Sequence, residues 1–445
     1  MSVKQQSGES GVALLDVGGN ERARVAAHVR WNFTVLGADI AFFSLGLSIS
    51  SAYTVLPLFV HRLTSGNEAV ALIPAVRALG MYAPPLLVAG YVERRRHAMP
   101  YILTATLLER LPFLALAIVT LWLTHANPII LLTFFLLMIF LATAGSGLTT
   151  PAWLDLVARA IPTERFGRFL GFWTGVGGVL GIGGAAIAAA LIKNVRWPVS
   201  FALCFLLTFA AFVVSFVLLA LGREPARVVR EVADAAEAAP AREAARRQWR
   251  DIWTVLRGDR GLQRLLACNG IAGIATMASA LFAVAALGQG GLSYAQVGVE
   301  STVLLAATTA GNFVWGVVGD HLGHRMVLVY GTACATAAAL TALVAHGFWM
   351  YALVFLLLGL NLSSWTIASF TFIAEFGPVV RRPTYIALAS VAYAPFAIGA
   401  PALGGALADG LGYSVVFVLA AVAGAVASIV YALWVPDPRT RAQPA

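Results

Sequence analysis

The segment Gly316-Val-Val-Gly319-Asp320-His-Leu-Gly323-His-Arg325 closes a long apolar run and decides how the rest of the chain is read. It sets small residues before an acid, a glycine able to make a tight turn after it, and a base beyond. A related segment, Ala89-Gly-Tyr-Val-Glu93-Arg94-Arg95-Arg96, lies about half a chain length upstream, again with an acid and bases at the end of an apolar run. The first copy is degenerate, with Glu93 in place of Asp and no glycine matching Gly323. A duplicated loop implies a duplicated fold, and each copy ends an apolar run.

Those runs dominate the sequence. Of 445 residues, 60% are hydrophobic and 11% charged, against roughly 25% charged in an ordinary soluble domain. So little charge cannot cover a water-facing surface, which excludes a soluble enzyme and a disordered or fibrous chain. Only three cysteines occur, Cys204, Cys268 and Cys334, each in an apolar stretch, so a disulfide scaffold is excluded too. A spanning helix needs about 20 apolar residues, whereas barrel strands alternate over ~10. Runs bounded by charged or turn-rich breaks number twelve: roughly 33–59, 69–91, 100–123, 128–157, 169–192, 198–221, 264–288, 297–318, 326–346, 349–375, 384–407 and 412–434. The expected organisation is an all-α membrane protein with a tail over 1–32, six spans over 33–221, a linker over 222–263, six spans over 264–434 and a tail over 435–445. Within the linker, Trp249, Ile252, Trp253 and Leu256 recur at helical spacing, which predicts an amphipathic helix along the membrane surface.

Basic residues give the orientation. Arg62, Lys193 and Arg196 alone fall in loops on the side away from the linker, and Arg77 and Arg110 fall within spans; the other basic residues lie on the linker side. Positive residues mark the cytoplasmic side, so both termini are expected in the cytoplasm of a bacterial cell, with the chain in its inner membrane. The net charge of +9 is then a topology signal, and no nucleic acid is expected as a partner. The lipid bilayer is, and the chain is expected to be monomeric.

The loop over Gly316–Arg325 resembles the signature loop of the major facilitator superfamily, and Gly399-x-Pro401-x-x-Gly404-Gly405 resembles the glycine–proline motif of that family's eleventh span. The likeness extends over 33–434. It implies two six-helix bundles, alternating access and a small-molecule substrate bound between the bundles. It also implies that spans one, four, seven and ten line the cavity. On physical grounds, Gly316 and Gly319 permit close helix approach. Asp320 can face the start of span eleven, and Glu93 and Arg94 would form the matching inner-gate corner of the first half. Departures from the family are present as well. No Arg occurs over Leu136–Leu156, where proton-coupled drug exporters carry one, and Ile182 stands where span five would have its proline.

Five ionisable residues lie within spans: Asp39, Arg77, Glu109, Arg110 and Glu300. A charge in hydrocarbon costs at least ~2.5–3.5 kcal/mol, so such groups face partners, water or function. The first four occupy a similar slab of the first half, so Asp39 is expected to pair with Arg77 or Arg110, either as a proton-coupling couple or as static glue. The family's cavity-lining role for span one favours Asp39 over Glu109 as the functional acid. Glu300, about three residues into span eight from its outer end, either snorkels outward or serves as a coupling or substrate residue. Phe43, Ser50 and Tyr53 follow Asp39 at spacings of three and four, which predicts one helix face. Trp153, Trp173, Asn269, Asn312, Asn361 and Trp365 are further lining candidates, with helix packing as the alternative use of each. The seven histidines sit in loops or at span ends, no phosphate loop or catalytic motif occurs, and neither metal nor cofactor is expected. The expected function is secondary transport, proton-coupled and inclined to efflux of amphipathic or lipophilic compounds. Uptake of a small polar solute, or a transporter-like sensor or lipid-moving protein, are the alternatives.

Overall fold

The computed structural model describes residues 6–64, 66–93, 98–122, 127–225, 256–376 and 382–436. The described residues are helices joined by short turns. The N-terminal helices are α1 (Gln6–Ile49), α2 (Val55–Leu63), α3 (Asn67–Glu93), α4 (Met99–Trp122), α5 (Pro128–Ala160), α6 (Thr163–Asn194) and α7 (Val199–Ala220). The C-terminal helices are α8 (Arg260–Ala275), α9 (Leu281–Gly288), α10 (Tyr294–Leu322), α11 (His324–Val344), α12 (Gly347–Phe376), α13 (Arg382–Leu411) and α14 (Tyr413–Leu433). Hydrocarbon offers no hydrogen bonds, so each crossing segment must pair its own backbone, which a helix does. Ten stretches are long and apolar enough to cross a membrane; α3 and α13, with 27 and 30 residues, are long enough to fill the remaining two places.

The two sets of six form two bundles with matching internal packing. In the first, α1 packs on α6 and α7, α5 on α3 and α4, and α4 on α7; in the second, α8 packs on α13 and α14, α12 on α10 and α11, and α11 on α14. Two antiparallel seams join the bundles, α3 against α13 and α6 against α10. The side bearing the linker ends is called the linker face below, and the opposite side the far face. Apolar side chains such as Trp122, Ile129 and Leu433 point outward, as a lipid-facing surface requires.

Span one is not one helix. α1 stops at Ile49, residues 50–54 turn, and α2 resumes at Val55. Span seven is interrupted at the matching place, by a 3-10 turn over Thr276–Ala278 between α8 and α9. Ile49 and Thr276 are separated by the same number of residues as Glu93 and Asp320, so the repeat includes the break. The single face expected for Asp39, Phe43, Ser50 and Tyr53 therefore ends at Ile49. A continuous apolar run hides such a break, because Ser, Thr and Tyr can remain buried once their hydroxyls find partners: Ser50 Oγ bonds Thr208 Oγ1 at 2.7 Å.

Of the amphipathic helix expected in the linker, Trp249, Ile252 and Trp253 lie outside the described residues, as do Arg94 and the side chain of Glu93, while Leu256 lies in the described helical stretch 256–258 and is half-buried.

Candidate functional site

Four of the spans in the first bundle bring their rare polar groups to one buried point. Arg110 on α4 donates from Nε to the Phe212 carbonyl (3.0 Å), from Nη1 to the Thr106 carbonyl (3.2 Å) and Glu109 Oε2 (3.3 Å), and from Nη2 to Ser215 Oγ (3.1 Å). Ser215 Oγ on α7 in turn donates to Asp39 Oδ1 at 2.5 Å, and Trp153 Nε1 on α5 donates to Asp39 Oδ2 at 3.2 Å. Ser146 Oγ donates to the other oxygen of Glu109. The approach is close because residue 145 is glycine: a Cβ there would sit 2.6 Å from the backbone nitrogen of Glu109. Asp39, Glu109 and Arg110 are all buried. Asp39 is thus joined to Arg110 through Ser215, whereas Arg77 takes no part in this network.

Glu300 is arranged differently. It does not snorkel: it is 0% exposed, and neither carboxyl oxygen has a hydrogen-bond partner among the described residues. The next residue, Ser301, hydrogen-bonds Thr54 of the turn in span one, and so ties the bundles together.

That bond belongs to a far-face closure. Asp409, at the end of α13, accepts from the Asn67 backbone N–H (2.8 Å), Asn67 Nδ2 (2.7 Å) and the Glu68 N–H (2.8 Å). A carboxylate of one bundle thereby caps the N-terminus of α3 in the other, where the helix dipole and free N–H groups favour an anion. Tyr413 donates to Asn67 Oδ1 at 2.5 Å, and the Arg62 guanidinium lies 3.8 Å above the Tyr294 ring. Along the α6–α10 seam, Cβ atoms at Gly298, Gly178 and Gly175 would meet Ala189, Thr309 and Phe313 in turn. Nearer the linker face the contact ends. In the same register Gly171 stands opposite Gly316, and neither has an atom within contact range of its Cβ position; Phe172 and Phe313 are exposed. The seam is closed at the far face and open towards the linker face.

In the linker-face loop, Gly323 has φ +89°, a backbone region that glycine alone enters readily. Gly319 abuts the His324 ring, whereas the space beside Gly316 is empty. Arg325 Nη1 reaches the Ala432 and Val435 carbonyls at 3.4 and 3.3 Å, closing the end of α14 rather than pairing with Asp320. Asp320 is exposed at the membrane edge. If it latches the gate, Asp320→Asn reduces transport while protein yield in the membrane stays normal; unchanged transport at normal yield removes the latch. On the first bundle Glu224 plays the organising part. It accepts from the Ala98 and Met99 N–H groups at 2.7 and 2.9 Å and pairs with Arg159 at 2.9 Å, while Arg159 also holds Asp155 at 3.0 Å.

The remaining lining candidates divide between packing and the central space. Phe43 stacks on Phe212, Asn269 accepts from Tyr431 at 2.5 Å and Asn361 donates to the Gly331 carbonyl at 2.9 Å, all within one bundle. Trp173 lies against Gly37, and neither its Nε1 nor Asn312 Oδ1 has a partner among the described residues. Trp365 packs on Tyr393, with ring centroids 4.8 Å apart and planes tilted by 32°; Tyr393 in turn meets Tyr82 across the α3–α13 seam at 6.1 Å. Tyr82, Tyr393, Asp409, Ser215 and Glu224 were not singled out by sequence. Each is an ordinary residue locally, and its role comes from a partner far along the chain.

The model of the Major Facilitator Superfamily matches residues 38–292 and 265–445. A comparison by sequence with curated proteins finds no match. Among solved structures, a mutant form of the nucleoside transporter NupG is similar at 10% identity, with a TM-score of 0.68 over 90% of this chain and 99% of that one. A bacterial homologue of the iron transporter ferroportin, in an inward-facing state, is 14% identical, with a TM-score of 0.67 over 91% and 99%. A D-xylose–proton symporter is 12% identical, with a TM-score of 0.65 over 92% and 97%. These likenesses share the fold of two six-helix bundles described above. With the family match running across nearly the whole chain, they lead to one conclusion: the protein belongs to the major facilitator superfamily and is a multi-pass membrane transporter, not an enzyme.

Proposed function

We propose that the chain is a proton-coupled secondary transporter that moves a small amphipathic molecule out of a bacterial cell by alternating access, with the linker face in the cytoplasm. The excess of basic residues on the linker side supports that orientation. The observation that carries proton coupling is Glu300. An ionised carboxylate with no donor is costly in a buried, apolar place, and Glu300 accepts no hydrogen bond among the described residues, so the neutral acid is the form that fits there. The ionisable groups that neighbouring helices carry towards the same end of the bundles are His61 and Arg62 on α2, Lys193 on α6 and Tyr351 on α12. None of them bonds to the carboxyl. Ser301, beside it, holds the far-face closure. Opening that face would wet Glu300 and let its proton leave; reclosing would require a proton back. Asp39 and Glu109, whose oxygens have donors, act in this reading as a brace for the first bundle.

The test uses a cysteine at Val70, which is fully buried at the far end of α3, in a background without Cys204, Cys268 and Cys334. Labelling by an impermeant maleimide applied from the far side is expected to rise as pH rises, because ionised Glu300 disfavours the closed face. Glu300→Gln, which mimics the neutral acid, should keep labelling low at every pH. A variant with the wild-type pH response would remove Glu300 from the coupling.

A further inference from the structure

The far-face ends of the spans and the turns between them carry only three Lys or Arg residues, Arg62, Lys193 and Arg196. The fold brings all three to one cavity of about 270 Å³. Phe59 fixes the approach. It lies on α2, one turn before Arg62, and its ring packs on those of Trp197 and Phe201 with centroids 5.6 Å apart in each pair. Trp197 lies in the turn between α6 and α7, and Phe201 in the first turn of α7. Both rings also line the cavity, so an aromatic wall stands beside the charges. Every lining residue belongs to the first bundle, so the cavity turns with that bundle and is no part of the space between the two.

No acid answers these charges. No Asp or Glu lines the cavity, and none of the three basic side chains takes a hydrogen bond or ion pair among the described residues. The Arg62 guanidinium lies over the Tyr294 ring, a π face that accepts none of its N–H groups in the plane. Arg62 and Lys193 sit in the last turns of α2 and α6, where the negative end of a helix favours a cation. Each end supplies roughly half an elementary charge, so two ends offset about one of the three cations. The positive end of α7 returns about half of that, because its first turn opens on the same cavity at Ser200 and Phe201. About two and a half positive charges remain on one wall, where they repel one another unless an anion joins them. Ser200 is an independent sign. It lines the cavity and is 2% exposed, yet its hydroxyl has no hydrogen-bond partner among the described residues. A buried hydroxyl needs a partner, and an anion oxygen at a helix start supplies one.

We propose that this far-face cavity binds a phosphate group, with Arg62, Lys193 and Arg196 meeting its oxygens, Ser200 and the start of α7 completing the cradle, and Trp197 and Phe201 packing on the organic part. Arg suits phosphate through its planar fork and Lys as a point charge. Three cations and a hydroxyl outnumber the oxygens of a carboxylate and match those of a phosphate. The volume is a little below the ~300 Å³ at which small-molecule sites begin, which admits a headgroup-sized ester. Two sources offer that chemistry: an anionic phospholipid of the far leaflet and a soluble phosphate. The site goes beyond the transport reading and stands whether or not Glu300 couples protons.

The probes are dihexanoyl phosphatidylglycerol below its micellar concentration, phenyl phosphate and inorganic phosphate, added to the purified full chain in a non-ionic detergent. Dihexanoyl phosphatidylcholine is the zwitterionic control. The anionic probes are expected to raise the melting temperature, and phosphatidylcholine to leave it unchanged. Lys193→Gln combined with Arg196→Gln, both at exposed positions on which the fold does not depend, should weaken that binding about tenfold or more, the equivalent of one lost charge-assisted hydrogen bond. Arg165→Gln combined with Arg168→Gln removes the same charge from exposed positions on the linker face and should leave the binding as it is. A response to phosphatidylglycerol alone identifies a lipid headgroup as the occupant, and a response to phenyl phosphate or inorganic phosphate alone identifies a soluble one. No response to any of the three anions, equal stabilisation by phosphatidylcholine, a response that the Lys193 and Arg196 double variant retains, or an equal loss in both double variants would each overturn the site.

Discussion

Asp409→Ala is expected to swing the far face open. The carboxylate holds three donors at the start of α3, and hydrogen bonds to charged acceptors contribute about 1.5–3 kcal/mol each when lost in a buried setting. Water replaces part of this once the seam parts, leaving a net shift of about 2–3 kcal/mol, or roughly 30- to 150-fold in the balance of closed to open. The Val70 cysteine reports it: far-side labelling should rise by that order, while accessibility from the linker side falls. Asp409→Asn retains one acceptor oxygen in place of two and should fall between. Unchanged labelling in both variants would mean that the closure is held elsewhere, at Thr54–Ser301 or along α6–α10.

Arg110→Leu should have the largest effect on stability. It leaves Asp39 and Glu109 as buried carboxylates with no cation, and strips donors from Ser215 and the Phe212 carbonyl. Removing one partner of a buried charge set costs about 3–5 kcal/mol, whereas replacing the whole set by neutral groups of similar size is often close to neutral. The single variant is therefore expected to lose most of its folded yield in detergent. The triple variant Asp39→Asn, Glu109→Gln, Arg110→Leu should recover most of the melting temperature. The triple variant also separates brace from coupling. If the recovered protein keeps the pH response of the Val70 reporter, the network is structural; if that response vanishes, proton coupling runs through Asp39 rather than Glu300.

The class of fold was legible because it is written in quantities that need no tertiary knowledge: lengths of apolar runs, sidedness of arginine, and a loop repeated half a chain apart. The site was legible only where polarity is expensive. Asp39, Glu109 and Arg110 stand out against an apolar background, and all three join one network. Sequence spacing could not decide between Arg77 and Arg110 as the partner of Asp39, since that depends on Ser215 on a sixth span. The far-face closure left no such trace. Asp409, Asn67 and Tyr413 sit at helix ends, where polar residues are ordinary, and their importance comes from docking one bundle's carboxylate on the other bundle's helix start. The sequence drew attention to Asp320 at the linker-face loop, while the cross-bundle hydrogen bonds described above cluster on the opposite side. The break in span one was hidden because its turn, residues 50–54, is short and two of its hydroxyls find buried partners, Ser50 at Thr208 and Thr54 at Ser301.

That break has a kinetic consequence. Had spans one and seven been continuous rods, the far face could open only by tilting two whole bundles, a motion of microseconds to milliseconds. Cut at matching depths, each rod ends in a stub, nine residues in α2 and eight in α9, and the two stubs pack on each other. Both stubs are buried along most of their length, residues 55–60 of α2 and 281–286 of α9, so neither moves as an exposed loop does. Each can hinge only at its break and only when its neighbours part. The barrier to opening the far face is then set by the contacts of two short segments instead of by the full length of two rods.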